Sequence, residues 1–115
     1  MPADTNPYGD IFGGWLMSIM DSAAGTVASR YSRGRAVTIA VDSMTFHRPV
    51  KIGDVVSVYA NVIEVGRTSM KIDVAMYAED LLSGARELCT RGTFTMIALD
   101  ADHKPTPVQP LHPGG

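Results

Sequence analysis

The 115-residue chain has a single cysteine, Cys89. No intrachain disulfide can form, and a reducing compartment suits the chain. No apolar run approaches the roughly 20 residues that cross a bilayer. The first residues show no basic segment leading into an apolar one, so no signal peptide is expected. Charged residues make up only 19% and the net charge is -2, with no basic run. Neither a nucleic acid nor a membrane surface is therefore an expected partner. The histidines are His47, His103 and His112, none ahead of Asp21, and two of them fall near the C-terminus. No Ser-His-Asp set and no metal-ligand spacing can be built from them. With 45% apolar residues the chain reads as one cytoplasmic globular domain.

The chain is organised around the stretch from Asn6 to Gly25. A turn-rich lead with Pro7 and Gly9 runs into Gly13-Gly14, and then into a long apolar segment ending near Ser32 to Gly34. At 100° per residue this segment carries a wide apolar arc that includes Trp15, Leu16, Met17, Ile19, Met20, Ala24, Val27, Ala28 and Tyr31. Its narrow polar remainder holds Ser18, Asp21, Ser22, Gly25 and Ser29. The pattern predicts a helix starting at Gly13 or Gly14, stopped by Gly34, and covered on most sides.

Four strand-like segments follow: 36–47, 54–65, 68–79 and 86–99. The third alternates most cleanly, with Met70, Ile72, Val74 and Met76 on one parity. Gly66-Arg67 reads as a two-residue hairpin loop with Gly first, and Gly92 predicts a bulge or bend. Long strands joined by turns predict an antiparallel meander curled around the helix, an α+β arrangement. The segment 101–115 is rich in Pro and Gly and predicts a loose tail.

Asp21 is the one ionisable side chain between Asp10 and Arg30. Asp competes with the backbone inside a helix, so it either looks at water from the thin polar face or serves as base or nucleophile in an apolar cleft. Gly13-Gly14 either makes a tight turn or lets a ligand approach free amides at a helix start, where an oxyanion could be held. Gly14 and Asp21 lie about 10 Å apart along the axis, so a group touching both would lie between two copies of the motif. A lone carboxylate with amide donors, and no acid to protonate a leaving group, suits a thioester, because a thiol leaves with a pKa near ~8.5.

The run Pro2 to Asn6, then Gly9-Asp10-Ile11-Phe12-Gly13-Gly14, Met17 and Met20-Asp21 resembles the hotdog-fold acyl-CoA thioesterases of bacteria and the related brain-type acyl-CoA hydrolase. The likeness continues through Val41 to Phe46, Arg48-Pro49-Val50, Gly53 to Val56 and Val65 to Ser69. It implies a hotdog fold over residues 1–100 and hydrolysis of acyl-CoA thioesters without a cofactor. It also implies a homodimer that joins two sheets, assembled as a trimer of dimers, with sites between subunits. By the same resemblance, Asp21 takes the catalytic carboxylate position and Asp10 a second polar position supplied by the other subunit. Gly13 and Gly14 take the amide donors. Arg48, Arg67, Thr68 and Ser69 become candidates for contact with CoA. Members of the family carry a strand ahead of the position matched by Pro2; without it, either one sheet edge stands open and the dimer is weakened, or the helix entry is less covered, or another segment takes the strand's place. A non-catalytic acyl-CoA binding protein is the competing reading. A hotdog hydratase is disfavoured, since those enzymes place a His ahead of the helix.

Overall fold

A computed structural model describes residues 7–51 and 53–110, with side chains from residue 14 onward. The apolar segment forms one helix, α1 (Pro7–Ser32). It begins at Pro7, ahead of the glycine pair expected to open it. Proline suits a first helical turn, where its missing N–H has no intrahelical role, and the glycines weaken a helix without ending it. At the other end Gly34 N–H donates to Ser29 O at 3.2 Å. The left-handed residue of this cap is Arg33, with φ of 59°, and not Gly34.

Met20, Ala24 and Ala28, each four residues on from the last, are buried. They pack on the inward faces of two strands, β3 (Ser69–Glu79) and β4 (Arg86–Leu99). There Met70, Ile72, Val74, Met76, Phe94 and Met96 complete the core. Each such side chain contributes about 1.5–3 kcal/mol on burial, and the small Ala24 and Ala28 bring the helix close to the sheet. Trp15 and Met17 are 50% and 40% exposed. Within one chain the helix is therefore less enclosed than its apolar arc predicts.

All four strands fall within a residue or so of their predicted limits, the other two being β1 (Arg35–Phe46) and β2 (Val55–Val65). Their order is β1-β4-β3-β2, with every pair antiparallel. Only β2, β3 and β4 form a meander. The connection over 47–54 carries the chain from one edge of the sheet to the other. It is fixed by Arg48 Nη2 and Lys51 N–H, which donate to Asp54 Oδ2 at 3.1 and 2.9 Å. Pro49, with no N–H, could not extend β1 into a hairpin ladder.

The bulge expected at Gly92 lies on the neighbouring strand. β1 spends both Ser43 and Met44 opposite Gly92, with Ser43 at φ 52°. A Cβ on Gly92 would come within 2.8 Å of the Met44 sulfur. The β2–β3 loop is also offset from its expected place. Gly66 N–H donates to Ser69 O at 2.9 Å, so the two loop residues are Arg67 and Thr68. A Cβ on Gly66 would lie 2.8 Å from Ser69 Oγ.

The segment expected to hang loose is held over its described part. Thr106 N–H donates to Ala98 O, Val108 N–H to Arg67 O, and Tyr31 Oη to Gln109 O. Val108 joins the core. Proline content there reflects extended chain lying across the end of the sheet rather than freedom. Residues 111–115 of the predicted tail lie outside the described residues.

Cys89 on β4 is 1% exposed, and burial pushes its thiol pKa up. Alkylation by iodoacetamide is expected to run about a hundredfold slower in the native protein than in urea, because both access and thiolate are lost. Rates followed by intact mass would check this.

Candidate active site

The helix brings Asp21 against β1. Thr38 Oγ1 donates to Asp21 Oδ1 at 2.6 Å, a short, charge-assisted bond. Thr38 pairs with Met96, whose side chain is in the core, so its hydroxyl points to the helix side of the sheet. Among the described residues no other side chain bonds Asp21, which leaves Oδ2 open. Asp21 is exposed in the single chain, on the thin polar face with Ser18 and Ser22.

Beside this pair the sheet edge is apolar and uncovered. β1 ends the sheet on its side. Ile39, the extra residue of a bulge between Thr38 and Ala40, is 55% exposed. Val41 pairs with the buried Phe94, so it points inward, yet it is 38% exposed because the helix does not reach over it. Asp21 and Thr38 thus sit at the border of an apolar wall that no described residue of this chain covers. The wall suits an acyl chain, and the carboxylate beside it suits a base.

The other predicted positions divide. Gly13 and Gly14 lie inside α1, in its second turn. Free amides belong to the first turn, so in this helix the pair is not at the N-terminus. A Cβ placed on Gly14 would meet nothing within 4 Å. Packing against the described residues therefore does not require glycine there. The Asp10 side chain lies outside the described residues.

Arg48 is engaged within the chain, 3.1 Å from Asp54 and 3.9 Å from Glu87, and mostly buried. Arg67, Thr68 and Ser69 sit beyond the far end of β2. The strand between these two groups rises about 3.4 Å per residue, so one small group cannot touch both in one chain. Thr38 was not among the candidates read from sequence. Its signal was slight: one hydroxyl in a β-branched run, on the parity that faces the helix.

Thr38→Val, which keeps the shape and removes the hydroxyl, is expected to lower kcat about tenfold with KM little changed, as loss of a bond to a charged group does. Steady-state kinetics would check this.

Residues 8–85 match the family model of the thioesterase superfamily. The chain is 46% identical over 111 residues to the acyl-CoA thioester hydrolase YciA of Salmonella typhimurium, covering 94% of this chain and 84% of that protein. It is 47% identical over 112 residues to an uncharacterized acyl-CoA thioester hydrolase of Zymomonas mobilis, covering 97% and 75%. Among solved structures, a hexameric thioesterase from Yersinia pestis superposes with a TM-score of 0.82 at 46% identity, over 95% of this chain and 88% of that one. A hexameric broad specificity acyl-coenzyme A thioesterase gives 0.80 at 42% identity, over 95% and 76%.

Proposed function

The chain belongs to the thioesterase superfamily, and from that premise we propose that it hydrolyses acyl-CoA thioesters to free CoA and a carboxylic acid. The Asp21–Thr38 pair beside the open apolar wall of β1 carries this reading. Thr38 holds Oδ1 and leaves Oδ2 to act. As base, Asp21 takes a proton from water while the hydroxide oxygen adds to the thioester carbon; collapse of that adduct breaks the C–S bond and releases CoA thiolate. As nucleophile, Oδ2 itself adds, and the resulting anhydride is then hydrolysed. In a single turnover in H₂18O the base route always labels the product, whereas an anhydride opened by water at the Asp21 carbonyl gives unlabelled product and leaves the label on Asp21.

The donors to the developing oxyanion are assigned to the amides of Gly13 and Gly14. That role requires the first turns of α1 to open when substrate or a second subunit arrives. Adjacent glycines make opening cheap, at about 1 kcal/mol of helix preference each. Asp10 is assigned as the second polar group, contributed by the neighbouring subunit. The neighbour itself is a second copy joined along β1. Exposed Ile39 and Val41 support this, since an open apolar strand edge seeks a partner. Three such dimers would make the hexamer described for the relatives. The chemistry calls for no metal or cofactor, and cytoplasmic acyl-CoA is the natural substrate pool.

Thiol release from acetyl- to palmitoyl-CoA, followed with a thiol dye, tests the reading. Turnover supports it. Tight CoA binding with no thiol release would make the protein a binding module instead.

A further inference from the structure

One end of the molecule gathers the C-terminus of α1, the start of β1, the β2–β3 loop and the segment after β4. A cleft of about 660 Å³ opens there between Ser32–Arg35 and residues 99–107. Its charges are poorly balanced. Arg33 and Arg35 line it, and neither forms a salt bridge among the described residues. Arg35 Nη1 lies 2.9 Å from His103 Nε2. A guanidinium can only donate, so the ring nitrogen accepts and the histidine brings no negative charge. Asp100 also lines the cleft, but its Oδ1 accepts from the amides of Asp102 and Lys104. Ser32, on the same wall, has its Oγ buried without a hydrogen-bond partner among the described residues.

Arg33 is held at φ 59°. A glycine would occupy that helix-capping position with less strain, and one stands immediately after it. The fold gains nothing visible from an arginine there. Two guanidiniums without a carboxylate partner, one of them kept at a strained position, and an idle hydroxyl beside a cleft are the complement of a phosphate.

We infer that this cleft binds a phosphate or diphosphate group, gripped by Arg33 and Arg35 with Ser32 as a hydroxyl donor. Its place relative to Asp21 identifies the carrier. Arg33 stands twelve positions past Asp21, just beyond the end of α1 and about 18 Å on along its axis. The pantetheine arm has some thirteen bonds from sulfur to phosphorus, and at about 3.5 Å per three backbone-like bonds it reaches roughly 15 Å. A CoA thioester at Asp21 can thus lay its phosphates near this end. The CoA assignment rests on the hydrolase reading; the phosphate site itself does not.

The test uses acetyl-CoA, acetyl-pantetheine, which has the same reacting end without the nucleotide phosphates, and 3′,5′-ADP. The variants are Arg33→Gly and Arg35→Gln, singly and together. Arg33→Gly relieves the strained φ, so its thermal midpoint is expected to be unchanged or higher. In the double variant, KM for acetyl-CoA rises about tenfold or more, kcat stays within about twofold, and acetyl-pantetheine kinetics do not change. The Kd for 3′,5′-ADP rises in parallel and loses much of its salt dependence.

Unchanged KM for acetyl-CoA with unchanged 3′,5′-ADP affinity overturns the site while leaving hydrolysis intact. Equal losses on both thioesters overturn it too, because the arginines would then act through the fold. If wild-type protein binds 3′,5′-ADP through these arginines but releases no thiol from acetyl-CoA, the phosphate site stands and the hydrolase reading falls. Weaker 3′,5′-ADP binding with unchanged KM for acetyl-CoA keeps the site but makes its ligand a separate nucleotide.

Discussion

Asp21→Asn is expected to fold like the wild type and to lose roughly a thousandfold in turnover of acyl-CoA, within the range that removal of a general base or nucleophile produces. The amide keeps the size of the carboxylate, and its oxygen can still accept from Thr38 Oγ1. Asp21 is exposed in the single chain, so exchanging its charge disturbs little packing. The amide oxygen can neither take a proton from water nor form an anhydride. KM is therefore expected to hold while kcat collapses, the pattern of an interaction used only in the transition state. Thiol release measured alongside a thermal melt checks both halves. Full turnover in a normally folded Asp21→Asn protein would remove the carboxylate from the mechanism.

The second large effect is expected at the edge of β1. Ile39→Asp combined with Val41→Asp places two carboxylates on the apolar wall proposed to meet a second copy. Burying an unpaired charge in such an interface costs several kcal/mol, enough to weaken association by about a thousandfold or more. Sedimentation velocity should then show monomers at micromolar concentration, and acyl-CoA turnover should fall with the loss of the assembled species. Both side chains are already 38% or more exposed in the single chain, so its own core should survive, as circular dichroism would report. A stable monomer with undiminished turnover would mean that one chain suffices for the chemistry.

The two predictions draw on different kinds of legibility. Asp21 stands out in the sequence as a candidate because it is the lone acid in a long apolar stretch, and β3 is legible because its inward side chains alternate without a break. Strand order is not. Nothing in the composition of residues 47–54 says that they cross to the far edge of the sheet; the Arg48–Asp54 bond that fixes this loop is a tertiary fact. The start of α1 lies earlier than the Gly13-Gly14 entrance the sequence predicts, because Pro7 has the better claim as a first-turn residue. Thr38 is one hydroxyl in a β-branched run, and its bond to Asp21 is a tertiary contact across 17 positions of sequence. The segment 101–110 was judged by its prolines, whereas its place was decided by backbone donors that find acceptors on β4 and on the β2–β3 loop.

That last segment has a bearing on how the protein is born. Tyr31 meets Gln109 across 78 positions of sequence, and Val108 closes onto Arg67, in the turn of a hairpin some forty residues earlier. At roughly 5–20 residues per second of synthesis, α1 must wait for seconds before its final clasp leaves the ribosome. During that interval the bottom of the sheet is a natural place for a chaperone to grip. Nascent chains arrested just short of residue 105 should be markedly easier to proteolyse than those arrested well beyond it.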